Sequence, residues 1–321
     1  MERARVRTAK RPGVASPPSI TVPSARSPPL PPLPSHPPQK TQAPSIPDAV
    51  AAATAAAVAP GTTCLPLLDA SAVIASPSYS REFMESISPT HLPPASARQR
   101  FAHAFIKTVR AVFDKVTGYD PTGSPSEAVW IRRIIFLETV AAVPGLVAGS
   151  LRTLHSLRLL KHDGGFIAQL LAESENERMH LYTFMKLRDP GPFFRTAVLL
   201  AQGVFWNAFF LLFLASPKTC HALVGYLEEE AVKTYTHALA EIDAGRLWPP
   251  SSGVKPPGVA IRYWKLAEDA TMRDLVLAVR ADEYDHARVN HTFSLLPDDA
   301  PNPFVAPENS STAGMKKQKV G

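Results

Sequence analysis

The sequence predicts an all-α fold, a four-helix bundle with additional membrane-associated helices, and three observations carry that prediction. From Ala95 onward apolar residues recur at three- and four-residue spacing, the period of an amphipathic helix. Nothing reads as a sheet, and no internal repeat of solenoid length is present. Two of the helical segments also carry the same short pattern, Glu177 to His180 and Glu283 to His286, whose i, i+3 spacing puts both side chains on one helix face.

The chain is unevenly composed. A large share of its 33 prolines falls before residue 61, among Ser and Ala, and no stable core can come from that stretch. Residues 1–94 are therefore expected to form a disordered leader. It is basic at its start (Arg3, Arg5, Arg7, Lys10, Arg11) and holds only Glu2 and Asp48 as acids before Pro60, which resembles an organellar transit segment. Its prolines forbid a long amphipathic helix, so a plain disordered tail is the other reading. Ala49 to Ala59 is apolar but Ala-rich and too far from the terminus for a secretory signal. Residues 306–321 read as a second disordered tail, which leaves 95–305 for the bundle.

The net charge of +6 is spread along the chain and belongs in part to the leader. It reads as import signal and membrane-surface attraction, and excludes nucleic acid as the partner. Two cysteines, Cys64 and Cys220, exclude a disulfide framework and a thiolate metal site. Cys64 could serve as a redox handle; an inert thiol is the plainer reading.

Phe101, Phe105, Val109, Val112 and Phe113 predict a first helix ending near Gly118. Ser124, Pro125 and Glu127 form the start signal of the next, as N-cap, first helical residue and capping-box acceptor. That helix carries Glu138 and should kink or end at Pro144-Gly145. A third begins near Asp163, whose carboxylate can cap free amides, carries Glu177 and His180, and stops before Pro190. Ser216-Pro217 opens a fourth with Glu228 and Tyr235; Asp243 to Pro257 is a loop; a last helix near Thr271 to Phe293 carries Glu283 and His286. Thr196 to Ala215 is charge-free, apolar and about long enough to cross a hydrocarbon core. A span, a buried bundle helix and a helix half-sunk in one leaflet all fit it.

Neighbouring residues decide where the acids point. Leu170, Glu173, Glu177, His180 and Phe184 share a face, as do Val276, Val279, Glu283, His286 and Asn290. Ile131, Ile134, Glu138, Ala141 and Gly145 form a third stripe, and Val224, Glu228, Ala231 and Tyr235 a fourth. The fourth selects Glu228 from Glu228-Glu229-Glu230 and leaves Glu229 as a solvated acid. Four carboxylates and two imidazoles in one core would be strongly unstable without compensation, since unpaired buried ions cost several kcal/mol each. Two divalent cations supply it. A Glu from each of two helices plus Glu-x-x-His from each of two more is the ligand set of ferritin-like di-iron and di-manganese bundles, and oxygen and nitrogen donors without thiolate suit iron or manganese. Buried acids paired with arginines are the structural alternative.

At these residues the sequence resembles the alternative oxidases, membrane-bound ubiquinol oxidases of mitochondria. The blocks that carry the resemblance are Leu137-Glu138-Thr139, Asn176 to Leu181, Leu227 to Ala231, Arg280 to Glu283, and Val289-Asn290-His291, within about Ala95 to Phe304. One departure follows Glu283. Where the family has a small residue, and an Arg directly after the ligand His, this chain has Tyr284 and Ala287, with the Arg displaced to Arg288.

The resemblance implies oxidation of two ubiquinols coupled to four-electron reduction of O2 to water at two iron ions, with no haem and no proton pumping. Glu138, Glu177, His180, Glu228, Glu283 and His286 would be the ligands. Tyr235, two turns from Glu228, would furnish a further electron and proton; a hydrogen-bonded core tyrosine is its plain reading. The quinol head would lie near Arg110, Asp114, Arg133, Leu137, Glu230 and Ala231, although Arg110 and Asp114 alone could be a surface helix pair. Asn176, Asp282, Tyr263 and Trp264 would support the ligands from behind. The family is monotopic and dimeric on the matrix face of the inner mitochondrial membrane, so Thr196 to Ala215 resembles its membrane-dipping helix. A di-iron hydroxylase of a quinone precursor, an iron-storage bundle and a plastid plastoquinol oxidase are the competing functions.

Overall fold

The computed structural model describes residues 44–58 and 78–305. Among them the order is α1 (Ile46–Val58), α2 (Arg81–Ser86), α3 (Ala97–Thr117), α4 (Glu127–Leu159), α5 (Phe166–Met185), α6 (Pro192–Ala215), α7 (Pro217–Asp243), α8 (Gly258–Tyr263) and α9 (Met272–Leu295), with one 3₁₀ turn at Pro250–Ser252 and no strand. Residues 1–43, Cys64 and the tail 306–321 lie outside the described residues.

The bundle is α4, α5, α7 and α9. α4 packs along α5, and α7 along α9, while α6 lies on α4 and α7, α3 on α7, and α1 and α2 on α9. Close approach of the two pairs depends on missing side chains. A Cβ on Gly145 would stand 2.5 Å from the Leu170 carbonyl, and one on Gly225 would stand 2.6 Å from His291 Nδ1, so each pair meets where one helix presents only backbone. Ser174 Oγ then donates to the Ala142 carbonyl at 2.9 Å and ties α5 to α4.

Several expected boundaries move. α4 opens at Glu127, and Ser126 takes the N-cap place through its carbonyl, which accepts from Val129 and Trp130 amides. Ser124 lies two residues before that cap, because the fixed φ of Pro125 suits an extended residue as well as a first helical turn. Pro144 does not end α4, which continues to Leu159. Val143, Pro144, Gly145 and Val147 are all buried there, and that packing offsets a break costing ~3 kcal/mol. α5 starts at Phe166, but Asp163 does bind a free amide: Ile167 N–H donates to its Oδ2 at 2.6 Å. α9 carries a complete capping box between Thr271 and Asp274.

The stretch expected as leader is folded in its described parts. Ile46 and Val50 of α1 are buried on α9, Ser45 caps the helix, and the Tyr284 hydroxyl donates to the Pro44 carbonyl. Burying two aliphatic side chains at ~1.5–3 kcal/mol each is what the Ala-rich, aperiodic look of the segment concealed. The large Tyr284 is thus the anchor of α1.

Two helices turn apolar faces outward. Phe193 and Val204 of α6 are 90% and 73% exposed, and Phe101 of α3 is 54% exposed. α4 and α6 are both long and apolar enough to cross a membrane, but most of the apolar stretch of α4 is inside the protein whereas little of that of α6 is.

Candidate metal centre

Glu138 comes from α4, Glu177 and His180 from α5, Glu228 from α7, and Glu283 and His286 from α9. All six are buried. They form two overlapping groups, Glu138, Glu177, His180 and Glu283 in one and Glu177, Glu228, Glu283 and His286 in the other, with the donor atoms of each within 4.8 Å of one another. Glu177 and Glu283 belong to both. His180 Nδ1 lies 3.5 Å from Glu138 and from Glu177 and 3.3 Å from Glu283, and His286 Nδ1 lies 2.7 Å from Glu177.

Charges of one sign crowd this space. Burial pushes Glu138 up to about 8, with His180 pulling the other way, and burial plus the charges of Glu283 and Glu177 hold Glu228 well above the usual carboxylate range. Burial would raise Glu177 too, but His180 and His286 outweigh it and hold it below that range. His286 rises to about 10 because Glu177 overcomes the burial that disfavours its cation. The donor set fits a pair of cations, which would replace these protons. Glu138 Oε2, Glu177 Oε2, Glu283 Oε2 and His180 Nδ1 are buried and make no hydrogen bond, a costly state for acceptors that converge on one space.

Asp282 holds His180 from behind. Its Oδ2 lies 3.0 Å from His180 Nε2 and accepts from Asn176 Nδ2 at 3.0 Å and Trp264 Nε1 at 2.7 Å. A carboxylate that only accepts places the proton on Nε2, which turns the Nδ1 lone pair toward the cluster. The Tyr263 hydroxyl accepts from Asn176 at 3.2 Å. The four residues expected behind the ligands are therefore one network. Sequence reading missed its fifth member, Tyr79, whose hydroxyl donates to Asp282 Oδ1 at 2.7 Å, because it precedes the stretch read as folded. On the far side, Glu173 accepts from Asn290, which meets His221, and burial pushes Glu173 up to about 7. Only its place on the Glu177 stripe signalled it.

Tyr235 is buried and donates to Glu138 Oε1 at 2.7 Å. Both line a cavity of about 330 Å³ between α3, α4, α6 and α7, whose wall includes Glu177, Glu228 and Glu283 and is otherwise mostly apolar. Arg110, Arg133, Leu137, Glu230 and Ala231 line it too. Asp114 stands behind them, paired with Arg110 at 2.8 Å and with Arg133. Arg133 is 1% exposed, with its guanidinium over the Tyr119 and Phe113 rings. Arg110 also reaches the Glu230 carbonyl and Thr234, so the Arg110–Asp114 pair is part of the cavity frame and not a free surface pair.

Glu229 departs from the solvated acid that its place in the Glu228-Glu229-Glu230 run predicts. It is buried, not solvated, and its carboxylate meets His91 Nδ1 at 2.6 Å, the Leu92 amide at 2.9 Å and His291 Nε2 at 2.8 Å. α7 is covered on both flanks, by α9 on one and by α3 with the segment before it on the other, so it has no solvated face at this level.

Residues 79–295 match the alternative oxidase family. The chain is 47% identical over 232 residues to the mitochondrial alternative oxidase of Emericella nidulans, covering 69% of this chain and 65% of that protein. To the mitochondrial alternative oxidase of Yarrowia lipolytica it is 45% identical over 239 residues, 71% of this chain and 67% of the other. For that of Neurospora crassa the figures are 46% over 257 residues, 74% and 71%. The matched stretch is thus about two thirds of the length of these relatives. With two overlapping carboxylate–histidine groups at the heart of the matched region, the chain belongs to the alternative oxidase family.

Proposed function

We propose that the chain is a mitochondrial ubiquinol oxidase that couples oxidation of two ubiquinols to reduction of O2 to water at a di-iron centre, without pumping protons. The observation that carries this reading is the sharing of Glu177 and Glu283 between two groups of donor atoms on the wall of an apolar cavity. Glu138 and His180 would hold one ion and Glu228 and His286 the other, with Glu177 and Glu283 reaching both. When bound, an iron pair there would supply the redox chemistry that passes electrons from quinol to dioxygen.

The chain's own residues do the rest. The cavity excludes water around a quinone-sized ring, and the Arg110–Asp114–Arg133 frame offers fixed donors for its oxygens. Tyr235 points its O–H at Glu138 Oε1, so an electron leaving the ring can be matched by a proton passing to that oxygen. The exposed faces of α3 and α6 suit contact with one leaflet, from which a lipid-soluble quinol would enter between them. Attachment to the matrix face as a homodimer is part of the same reading.

The test is oxygen uptake by the purified chain with ubiquinol in the presence of cyanide, together with metal analysis. Uptake with about two irons per chain is expected. Uptake abolished by cyanide, or iron absent from active protein, would sink the reading, and labelled oxygen found in quinone instead of water would mean a hydroxylase.

A further inference from the structure

Trp264 is outside the cavity wall and stands behind His180. Its ring is stacked on that imidazole, centroids 5.7 Å apart and planes 23° apart, and its Nε1 donates to Asp282. Tyr263 meets Trp264 edge to face with centroids 4.8 Å apart. Trp264 is 4% exposed and Tyr263 is half-buried, so the two rings make a two-step path from a cluster histidine toward solvent. Indole and phenol are the side chains most readily oxidised by one electron. The Asp282 carboxylate on the indole N–H favours positive charge on that ring by Coulomb attraction. Because the Tyr263 oxygen accepts from Asn176, its own hydrogen is not used in that bond and is free to leave.

We propose that Trp264 and Tyr263 form a protective electron relay, which feeds one electron from the protein surface toward His180 when dioxygen is engaged without quinol. The relay rests on the di-iron oxidase reading above. Dioxygen, reduced at that centre, is the oxidant. Trp264 gives up one electron in the direction of His180 and keeps its Nε1 proton in the bond to Asp282. Tyr263 then returns one electron to Trp264 and loses its O–H proton to solvent, which leaves Trp264 restored and Tyr263 as a neutral radical. The O–H bond of Tyr263 is the only one broken. A soluble one-electron donor such as ascorbate or a thiol restores it with one electron and one proton. Tyr235 cannot serve in this way: it is buried, and its hydroxyl is committed to Glu138.

The experiment uses the full iron-loaded chain carrying Tyr235→Phe, which silences the phenol on the cavity. The protein is chemically reduced, mixed with dioxygen without quinol, and frozen for paramagnetic resonance with and without ring-deuterated tyrosine. A tyrosyl signal altered by deuteration is expected, and it should vanish when Tyr263→Phe is added. Mass spectrometry after repeated cycles should then find several-fold more oxygen adducts on the peptide bearing His180, in Tyr263→Phe and in Trp264→Phe alike. An unchanged signal and unchanged damage in Tyr263→Phe, or a radical located on Tyr79, would overturn the relay. If Trp264→Phe does not hold iron, Tyr263→Phe decides alone, since it keeps the indole and its bond to Asp282. A chain that binds two irons and consumes oxygen with ubiquinol, yet forms no radical on Tyr263, loses only the relay; a chain that does neither loses the parent reading and the relay with it.

Discussion

Tyr235 offers the sharpest cut at the level of single atoms. Tyr235→Phe keeps the ring in its packing beside Phe184 and deletes only the hydroxyl on Glu138. If that hydroxyl supplies an electron and a proton, iron content and fold should survive while turnover at saturating quinol collapses. A purely structural hydroxyl would cost about 1 kcal/mol in stability with most activity kept, and that outcome would retire its chemical role. The six candidate ligands should behave differently. Glu283→Ala or His286→Ala leaves the remaining charges of the cluster uncompensated, so bound iron should be lost and the melting temperature should fall. Metal analysis finding two irons per chain in either variant would count against the ligand set. Helical spacing alone pointed these six residues at one another, because i, i+3 pairs and apolar neighbours define a face. Tyr79 and Glu229 were not legible in that way. Their partners, Asp282 for one and His91 with His291 for the other, lie on other elements.

Glu229 ties the segment before α3 to α7 and α9, and its charge makes this clamp sensitive to acid. Burial alone would raise its pKa, but His291, the Leu92 amide and His91 outweigh burial and lower it below its ordinary value. A group depressed in the folded state stabilises fully above its unfolded pKa, about 4.3, and loses that contribution as pH falls through the folded value. Glu229→Gln should therefore melt earlier than the parent at pH 7, with the gap narrowing below about pH 4. Melting curves that stay equally spaced down to pH 3 would show that the carboxylate charge contributes nothing to the clamp. At this scale the sequence was a fair guide to where helices lie and a poor one to how they end. Pro144 sits inside α4 because burial on both of its sides outweighs one lost backbone bond, and α1 exists because α9 offers it a surface.

At the scale of the whole molecule, the proposed contact is with one leaflet of a lipid bilayer. The outward faces of α3 and α6 are apolar, and their attachment should be hydrophobic and unscreened by ions. The protein is expected to remain with membranes through high-salt washing and to leave in detergent. Release by salt alone would make those faces a protein contact instead. The same two helices line the cavity, so a lipid-soluble quinol entering between them as proposed would meet Tyr235 and the acids behind it.

The sequence by itself determined the helical class, the four bundle helices, the six clustered ligand candidates and the family, because all of these follow from spacing along a helix and from ordered blocks of residues. Only the tertiary structure decided that Glu177 and Glu283 stand between the two groups, that α6 is mostly exposed while the similarly apolar α4 is mostly core, and that Arg110 and Arg133 share Asp114 at one cavity. The physical reason is common to these cases. Periodicity fixes which way a side chain points from its own axis, whereas burial, pairing and the sharing of a ligand depend on which other axis lies opposite, and that is set by close approaches such as those at Gly145 and Gly225.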